Sequence, residues 1–370
     1  MSGHDVAVVG AGVVGLAIGR SYAESGARVV VVERRAGPGR EQSTHNSGVI
    51  HAGLFAHPGT LRARLNVEGN RRLYELAPRL GVAAERCGTL VVAGTPGDLP
   101  RLAQYRAWGT ANAVPDVRYL DPSEARQVEP RLGPCEGALL APSGGRVDAR
   151  GLVDALDEEL VRLGGERRFD FDLASGDRSS GLWTLTSRAG EEVSAPRVVN
   201  CAGVGADRVA RALGGPGRRI YPCLGEYARL LGERRNWVRT MIYGFPPPGF
   251  PGIGVHLTRT TAGEVLLGPT ATYIDSPEAP ALPVTPLAEF AALASAYVPG
   301  ITERDLAPAP AGVRAKTVPP GSGDAFGEFE VVEEPAGSGA VHLFGIESPG
   351  LTASLAIGEY VRSLWPARRP

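Results

Sequence analysis

Lysine is almost absent from this chain: among 39 lysines and arginines, Lys316 is the only lysine. With alanine, glycine and proline abundant, the arginine excess reads as coding bias rather than as phosphate recognition. The formal net charge of −1 leaves no basic footprint for nucleic acid and no cationic face for a membrane surface. Cysteine is also scarce. Cys87, Cys135, Cys201 and Cys223 lie far apart and form no CxxC, which excludes a zinc ribbon and a disulfide framework. No apolar run approaches membrane-spanning length. The first apolar strand starts after five residues, so no secretory leader is expected and a soluble, cytoplasmic protein is. Only six histidines occur, yet three fall in "STHNSGVIHAGLFAHPG" at 43–59. His45, His51 and His57 recur every six residues, a spacing that fits no common metal site.

What is present begins at the N-terminus. The 370 residues, 43% of them hydrophobic, suffice for one large or two medium domains. "DVAVVGAGVVGLAIGRSYAESGARVVVVE" reads as strand, glycine turn, helix, strand. Gly10, Gly12 and Gly15 form GxGxxG in the context it requires. Gly10 serves the tight turn, Gly12 the approach to a pyrophosphate, and Gly15 the helix–strand packing. The helix N-terminus offers free N–H groups to phosphate. Glu33 ends the next strand, placed to accept from a ribose diol and to repel a 2′-phosphate, despite Arg34 and Arg35. The pattern does not by itself separate FAD from NAD.

Downstream, Leu61, Leu65, Leu73, Leu76 and Leu80 recur at helical spacing, and 88–94 reads as a short strand. Helices are expected within 101–114 and 122–132, the latter capped by Asp121 or Ser123. Asp148 is the candidate cap of a further long helix. At 192–214 a second strand, glycine turn and helix appear, with Ala202 and Gly203 in the turn. Residues 220–275 are β-rich, with a hairpin around Ala262-Gly263. The proline-rich stretches 246–251 and 277–286 read as loops. A helix follows at 286–300, and 340–365 is again strand, turn, helix.

Six stretches, in this order, carry a resemblance: "HNSGVIHAG" (45–53), "CGTLVVA" (87–93), "GEY" (225–227), "GVHLTR" (254–259), "PAGVRA" (310–315) and "SPGLTASLAIG" (348–358). Together they resemble the L-2-hydroxyglutarate dehydrogenase/oxidase family within the D-amino-acid-oxidase superfamily of FAD-dependent oxidoreductases, over residues 5 to about 362. The resemblance implies an α/β (overall α+β) protein with a Rossmann-like FAD-binding domain and an inserted, mainly antiparallel substrate domain. The expected segments are 1–85, 146–217 and 311–370 for FAD, and 86–145 and 218–310 for the substrate. Gly10, Gly12, Val14, Gly15, Glu33, Arg34, Ala202 and Gly203 would hold the nucleotide. Thr44, His45, Asn46, Ser47 and Gly48 would pass the pyrophosphate and reach the flavin, beside Arg314 and the helix start at Gly350, Leu351 and Thr352. His45 is also the position from which a covalent flavin tether would arise, but a non-covalent flavin is expected.

His51, near the flavin, is the first candidate for a proton acceptor or substrate hydrogen bond, since imidazole suits proton transfer near neutral pH. His256, on a strand of the roof, is the second. Arg259 and Arg314 are candidate carboxylate clamps, with Arg314 favoured. Phe55, Leu224, Tyr227, Thr270 and Glu347 complete the expected substrate pocket. Four positions depart from the family pattern. Cys223-Leu224 replaces Phe-Arg, Phe55-Ala56 replaces two aromatics, Thr270 replaces Asn, and Gly345-Ile346-Glu347 replaces Asn-Ala-Pro. The lost cation and the added carboxylate argue against 2-hydroxyglutarate as substrate. The expected activity is hydride transfer from a hydroxyl-bearing carbon of a small molecule to FAD, with amine or amino-acid oxidation as the alternative. Oxygen or a quinone would be the acceptor.

Overall fold

The computed structural model describes residues 3–246, 249–280 and 283–365, so parts of both proline-rich loops, at 247–248 and 281–282, lie outside the described residues. The first strand, Val6–Val9, occupies the middle of a six-stranded sheet. Across it the order is Glu330–Glu333, Ala340–Phe344, Val198–Asn200, Val6–Val9, Val29–Val32, Glu166–Arg168. All neighbours pair in parallel except the edge strand Glu330–Glu333. Parallel strands are covered on both faces, and this is why Val6–Val9 and Val29–Val32 are apolar throughout rather than alternating. Val6, Val8, Val29 and Val31 pack into one core with the helices Val13–Glu24, Ala149–Arg162 and Gly350–Leu364. Ala7, Val9, Val30 and Val32 pack into another, against a three-stranded meander.

That meander, Leu173–Ser179, Leu182–Ser187 and Glu192–Ala195, lies mostly in a stretch the sequence reading leaves unassigned. Its middle strand alternates in burial, with Trp183 and Leu185 inward, but most of the first strand is exposed and polar and carries no period.

The second large sheet has nine strands and is antiparallel except where Met241–Tyr243 runs parallel to Thr89–Ala93. Its long strands, Tyr221–Leu230 and Leu306–Lys316, pair with an irregularity between Gly225 and Tyr227. The expected hairpin joins His256–Arg259 to Val265–Gly268. A small antiparallel sheet, Val49–Ile50, Gly145–Val147 and Ala84–Arg86, ties the histidine-rich segment to the rest. The caps are as the residue types require: Asp148 accepts from Gly151 N–H at 2.9 Å. Asp121, rather than Ser123, caps Pro122–Val128 by accepting from Glu124 N–H at 2.9 Å. No helix among the described residues is long and apolar enough to cross a membrane. The fold is mixed α/β, with a Rossmann-like parallel sheet beside a mainly antiparallel one.

The helix Leu61–Leu76 crosses the last helix, Gly350–Leu364, at Gly69. A Cβ there would stand 2.6 Å from Ala353 Cα and would run into the carbonyl oxygen of Thr352. On an exposed helix, Gly→Ala stabilises by about 1 kcal/mol. Here Gly69→Ala should instead destabilise by about 1–3 kcal/mol, the usual cost of overpacking. The urea midpoint reports it, and an unchanged or higher midpoint would contradict the close crossing.

Candidate active site

At the end of the first strand the chain turns sharply, with Gly10 at φ +111°. A Cβ on Gly10 would lie 2.6 Å from the Cys201 carbonyl oxygen, and one on Gly12 would lie 2.9 Å from Ser43 Oγ. The turn is therefore closed to side chains. Val13 N–H, in the first turn of the helix, donates to Ser43 Oγ at 2.9 Å. Glu33 accepts from Ala11 N–H and Arg35 N–H, each at 2.8 Å, and burial raises its carboxyl above the usual range. From these groups a cavity of about 1810 Å³, including its open mouth, runs to His51, Arg314 and Ser348.

Gly10, Gly12, Val14, Glu33 and Arg34 line its first part, with Ala202 and Gly203 beside them. His45, Asn46, Ser47, Gly350 and Leu351 line the remainder. Gly15, Thr44, Gly48 and Thr352 do not line it but brace it. Thr44 Oγ1 donates to Gly39 O at 2.6 Å, and Gly48 N–H donates to Asn46 Oδ1 at 2.8 Å. Thr352 Oγ1 accepts from His51 N–H at 3.0 Å and donates to Val49 O at 3.2 Å. Gly15 packs directly under Gly10.

His51, Tyr227, His256, Arg314, Glu347 and Ser348 line the cavity away from the glycine turn. His51 Nε2 lies 3.0 Å from Ser348 Oγ, and Asn70 Nδ2 holds the His51 carbonyl at 3.0 Å. Burial, with His256 and Arg62 nearby, pushes the His51 pKa down to about 3. Burial, with Arg314 nearby, pushes His256 to about 4. His256 stacks on Tyr243 with centroids 4.3 Å apart, and its buried Nε2 has no partner among the described residues. Arg314 donates to Thr270 O at 3.0 Å and to Leu224 O at 3.4 Å. No carboxylate pairs with it among the described residues.

Four expected pocket residues stand elsewhere. Leu224 is buried in a core with Val204, Ala210 and Val313, because side chains alternate along its strand and Gly225 and Tyr227 take the cavity side. Arg259 has the opposite parity to His256 on its strand, and its side chain does not reach the cavity. Thr270 acts from behind, accepting Glu226 N–H on Oγ1 and Arg314 on its carbonyl. Phe55 packs edge-on behind His51, with centroids 6.2 Å apart.

Glu347 does line the cavity, but not as a free charge. Lys316 Nζ meets both its carboxylate oxygens at 3.1 Å, with both side chains fully buried, and also donates to Ala325 O at 2.7 Å. The sequence reading missed Lys316, although a lone lysine among arginines was a signal. It also missed Gln42, which donates to Ile346 O at 3.0 Å and accepts from Ala315 N–H at 3.2 Å, stitching two walls together.

Residues 5–364 match the DAO family, FAD dependent oxidoreductase. The chain belongs to this family. Among its relatives, L-2-hydroxyglutarate dehydrogenase of Escherichia coli (strain K12) is 29% identical over 396 residues, spanning 97% of this chain and 92% of that protein. The mitochondrial L-2-hydroxyglutarate dehydrogenase of Arabidopsis thaliana is 31% identical over 400 residues, spanning 96% and 82%. In fold the chain is similar to L-alpha-glycerophosphate oxidase of Mycoplasma pneumoniae, with a TM-score of 0.88 at 23% identity, covering 98% and 95%.

The residues present fit the cofactor of this DAO-family enzyme. A glycine turn closed to side chains faces a helix N-terminus, a buried carboxylate stands at the next strand end, and the cavity continues far enough for a dinucleotide. Gly12→Val should yield colourless protein, because its side chain must displace Ser43 from the turn. A yellow, flavin-replete variant would count against the assignment. Lys316→Met should cost about 3–5 kcal/mol by stranding a buried carboxylate, while Lys316→Met/Glu347→Met should recover most of it. Urea unfolding of the two variants tests this, and equal losses would refute the pair.

Proposed function

We propose that the enzyme oxidises the hydroxyl-bearing carbon of a small 2-hydroxy acid with one carboxylate, and that 2-hydroxyglutarate is not its natural substrate. The observation carrying this reading is Arg314, a cavity-lining guanidinium bonded only to carbonyl oxygens and a thiol, near His256 in a cavity that His51 also lines, both imidazoles being kept neutral by burial. FAD, when bound, supplies the hydride acceptor. Arg314 would hold the substrate carboxylate through paired N–H donors. His51 would take the hydroxyl proton as the C–H leaves as hydride, with Ser348 Oγ fixing its ring. His256 stands ready for the same proton or for a hydrogen bond to the hydroxyl. Oxygen or a quinone would accept the electrons. The division of labour follows the segments, with 1–85, 146–217 and 311–370 serving FAD and 86–145 and 218–310 serving the substrate.

Glu347 entered the expected pocket as an added carboxylate, and a free negative charge there would suit a cationic amine. Lys316 takes that charge, so amine oxidation loses its particular support. The case against 2-hydroxyglutarate now rests on Arg314 alone: among the described residues no second unpaired cation lines this end of the cavity, since the Arg62 guanidinium near His51 is turned to the Gly327 and Ser348 carbonyls and is not part of the lining. L-2-hydroxyglutarate should therefore turn over with kcat/KM well below the ordinary range of about 10⁴ M⁻¹s⁻¹. Steady-state rates at or above that figure would defeat the proposal.

The pH dependence follows from the same groups. Neutral imidazole is the acceptor, and it is lost only as pH falls through about 3 for His51 or about 4 for His256. The kcat/KM profile, which reports the free enzyme, should then show no acid limb near the ordinary imidazole value of 6.5. A limb there would mean that neither histidine, in this environment, is the base.

A further inference from the structure

The groups at the histidine end of the cavity supply polar partners for a carboxylate and a hydroxyl, and an apolar wall for everything else. Residues 249–254, Gly-Phe-Pro-Gly-Ile-Gly, contain no charge and no side-chain hydrogen-bonding group, and Phe250, Gly252, Ile253 and Gly254 line the cavity. Behind Ile253 stands a packed aromatic cluster. Phe55 lies 5.1 Å from Tyr243 and 5.2 Å from Tyr105, and Tyr105 stacks on Phe245 at 5.6 Å. The same cluster carries both histidines: Phe55 meets His51 edge-on at 6.2 Å, and Tyr243 stacks on His256 at 4.3 Å. The apolar wall and the candidate bases are thus neighbours through shared rings.

Most charged groups elsewhere along the cavity are committed; Arg40, without an ion pair among the described residues, follows Gly39 beside the glycine turn and so belongs to the nucleotide part. Arg34 pairs with Glu41, Arg208 with Asp172 at 3.0 Å, and Lys316 with Glu347 at 3.1 Å. We infer that the third substituent of the substrate, beyond its carboxylate and hydroxyl, is an apolar side chain, branched aliphatic or aromatic, seated against Ile253 and Phe250. This rests on the reading of Arg314 as the clamp for one carboxylate, and it adds what that carboxylate's bearer looks like. A polar side chain placed there would give up its hydration without a partner, whereas an apolar one gains contact.

The test uses the FAD-replete enzyme, mixed anaerobically with two racemic series. One is lactate, 2-hydroxy-4-methylpentanoate, 3-phenyllactate and 2-hydroxyglutarate; the other is alanine, leucine, phenylalanine and glutamate. Flavin bleaching gives a rate constant and an apparent Kd for each. The expected result is at least about a tenfold advantage of the apolar members over both the short and the diacid members, the discrimination of an apolar pocket. Bleaching by leucine or phenylalanine but by no hydroxy acid would remove the hydroxyl reading and leave this inference standing. An equal or greater response to lactate, alanine or either diacid overturns it, as does bleaching by none.

A binding readout does not depend on turnover. Perturbation of the flavin spectrum gives Kd for 4-methyl-2-oxopentanoate and for 2-oxoglutarate. Wild type should prefer the former by at least about tenfold, and Ile253→Arg should abolish or reverse that preference while Ile253→Leu keeps it. Phe250→Arg serves where Ile253→Arg lacks wild-type flavin content. A preference unchanged in the arginine variant overturns the inference.

Discussion

Five strands of the six-stranded sheet run parallel, and four of them end at the edge that carries the cavity: Val6–Val9, Val29–Val32, Val198–Asn200 and Ala340–Phe344. Parallel pairing gives them no choice, and each end opens into a segment that lines the cavity. The first delivers the glycine turn at Gly10, the second Glu33, the third Ala202 and Gly203, and the fourth the turn carrying Glu347 and Ser348. A ligand crevice at the carboxyl edge of such a sheet is thus a consequence of strand direction. The histidine-rich segment is drawn to the same edge because Val49–Ile50 pairs with Gly145–Val147 and Thr352 holds the His51 N–H.

Within this frame the last helix has two duties. Its first turn anchors His51 through Thr352, and its body packs on the first helix and on Leu61–Leu76. Arg62 joins these duties: its guanidinium donates to the Gly327 carbonyl at 3.1 Å and to the Ser348 carbonyl, and stacks on Phe326 at 3.9 Å. The hydroxyl that meets His51 is thus carried by a backbone gripped from behind by a cation. Rigidity of this kind matters for a proton acceptor, whose usefulness falls steeply with misplacement.

The cofactor half of the site was legible because it is local. GxGxxG, the acid at the next strand end and the turn at 202–203 are each set by a few consecutive residues, and glycine at φ +111° is a requirement visible as a letter. The half proposed for the substrate is made by pairing between distant strands, and there letters mislead. Leu224 was expected in the pocket from its place in a motif, but one residue of register turns it into the core while Gly225 and Tyr227 face the cavity. Glu347 was legible as an added carboxylate in the expected pocket, whereas its partner is 31 residues away at the end of the strand Leu306–Lys316, a separation no spacing rule reports. The meander at 173–195 escaped because its first strand is mostly exposed and carries no alternation.

The Lys316–Glu347 pair also clarifies what Arg314 can do. Both cations end the same strand, Leu306–Lys316, two residues apart, so their side chains leave the same face towards one region. An ammonium is a compact charge that a single carboxylate, with one carbonyl, can satisfy, and that is its arrangement here. A guanidinium offers five donors in a plane, and Arg314 engages backbone carbonyls at Leu224 and Thr270 that orient it without cancelling its charge. Neutralising one cation and leaving its neighbour charged makes Arg314 the unpaired fork that lines the cavity near His256. In a cavity of low dielectric, that fork would attract one anionic group strongly, and the bound anion, opposing the cations, would raise the proton affinity of His51 and offset part of the burial that holds the imidazole neutral when the site holds no anion.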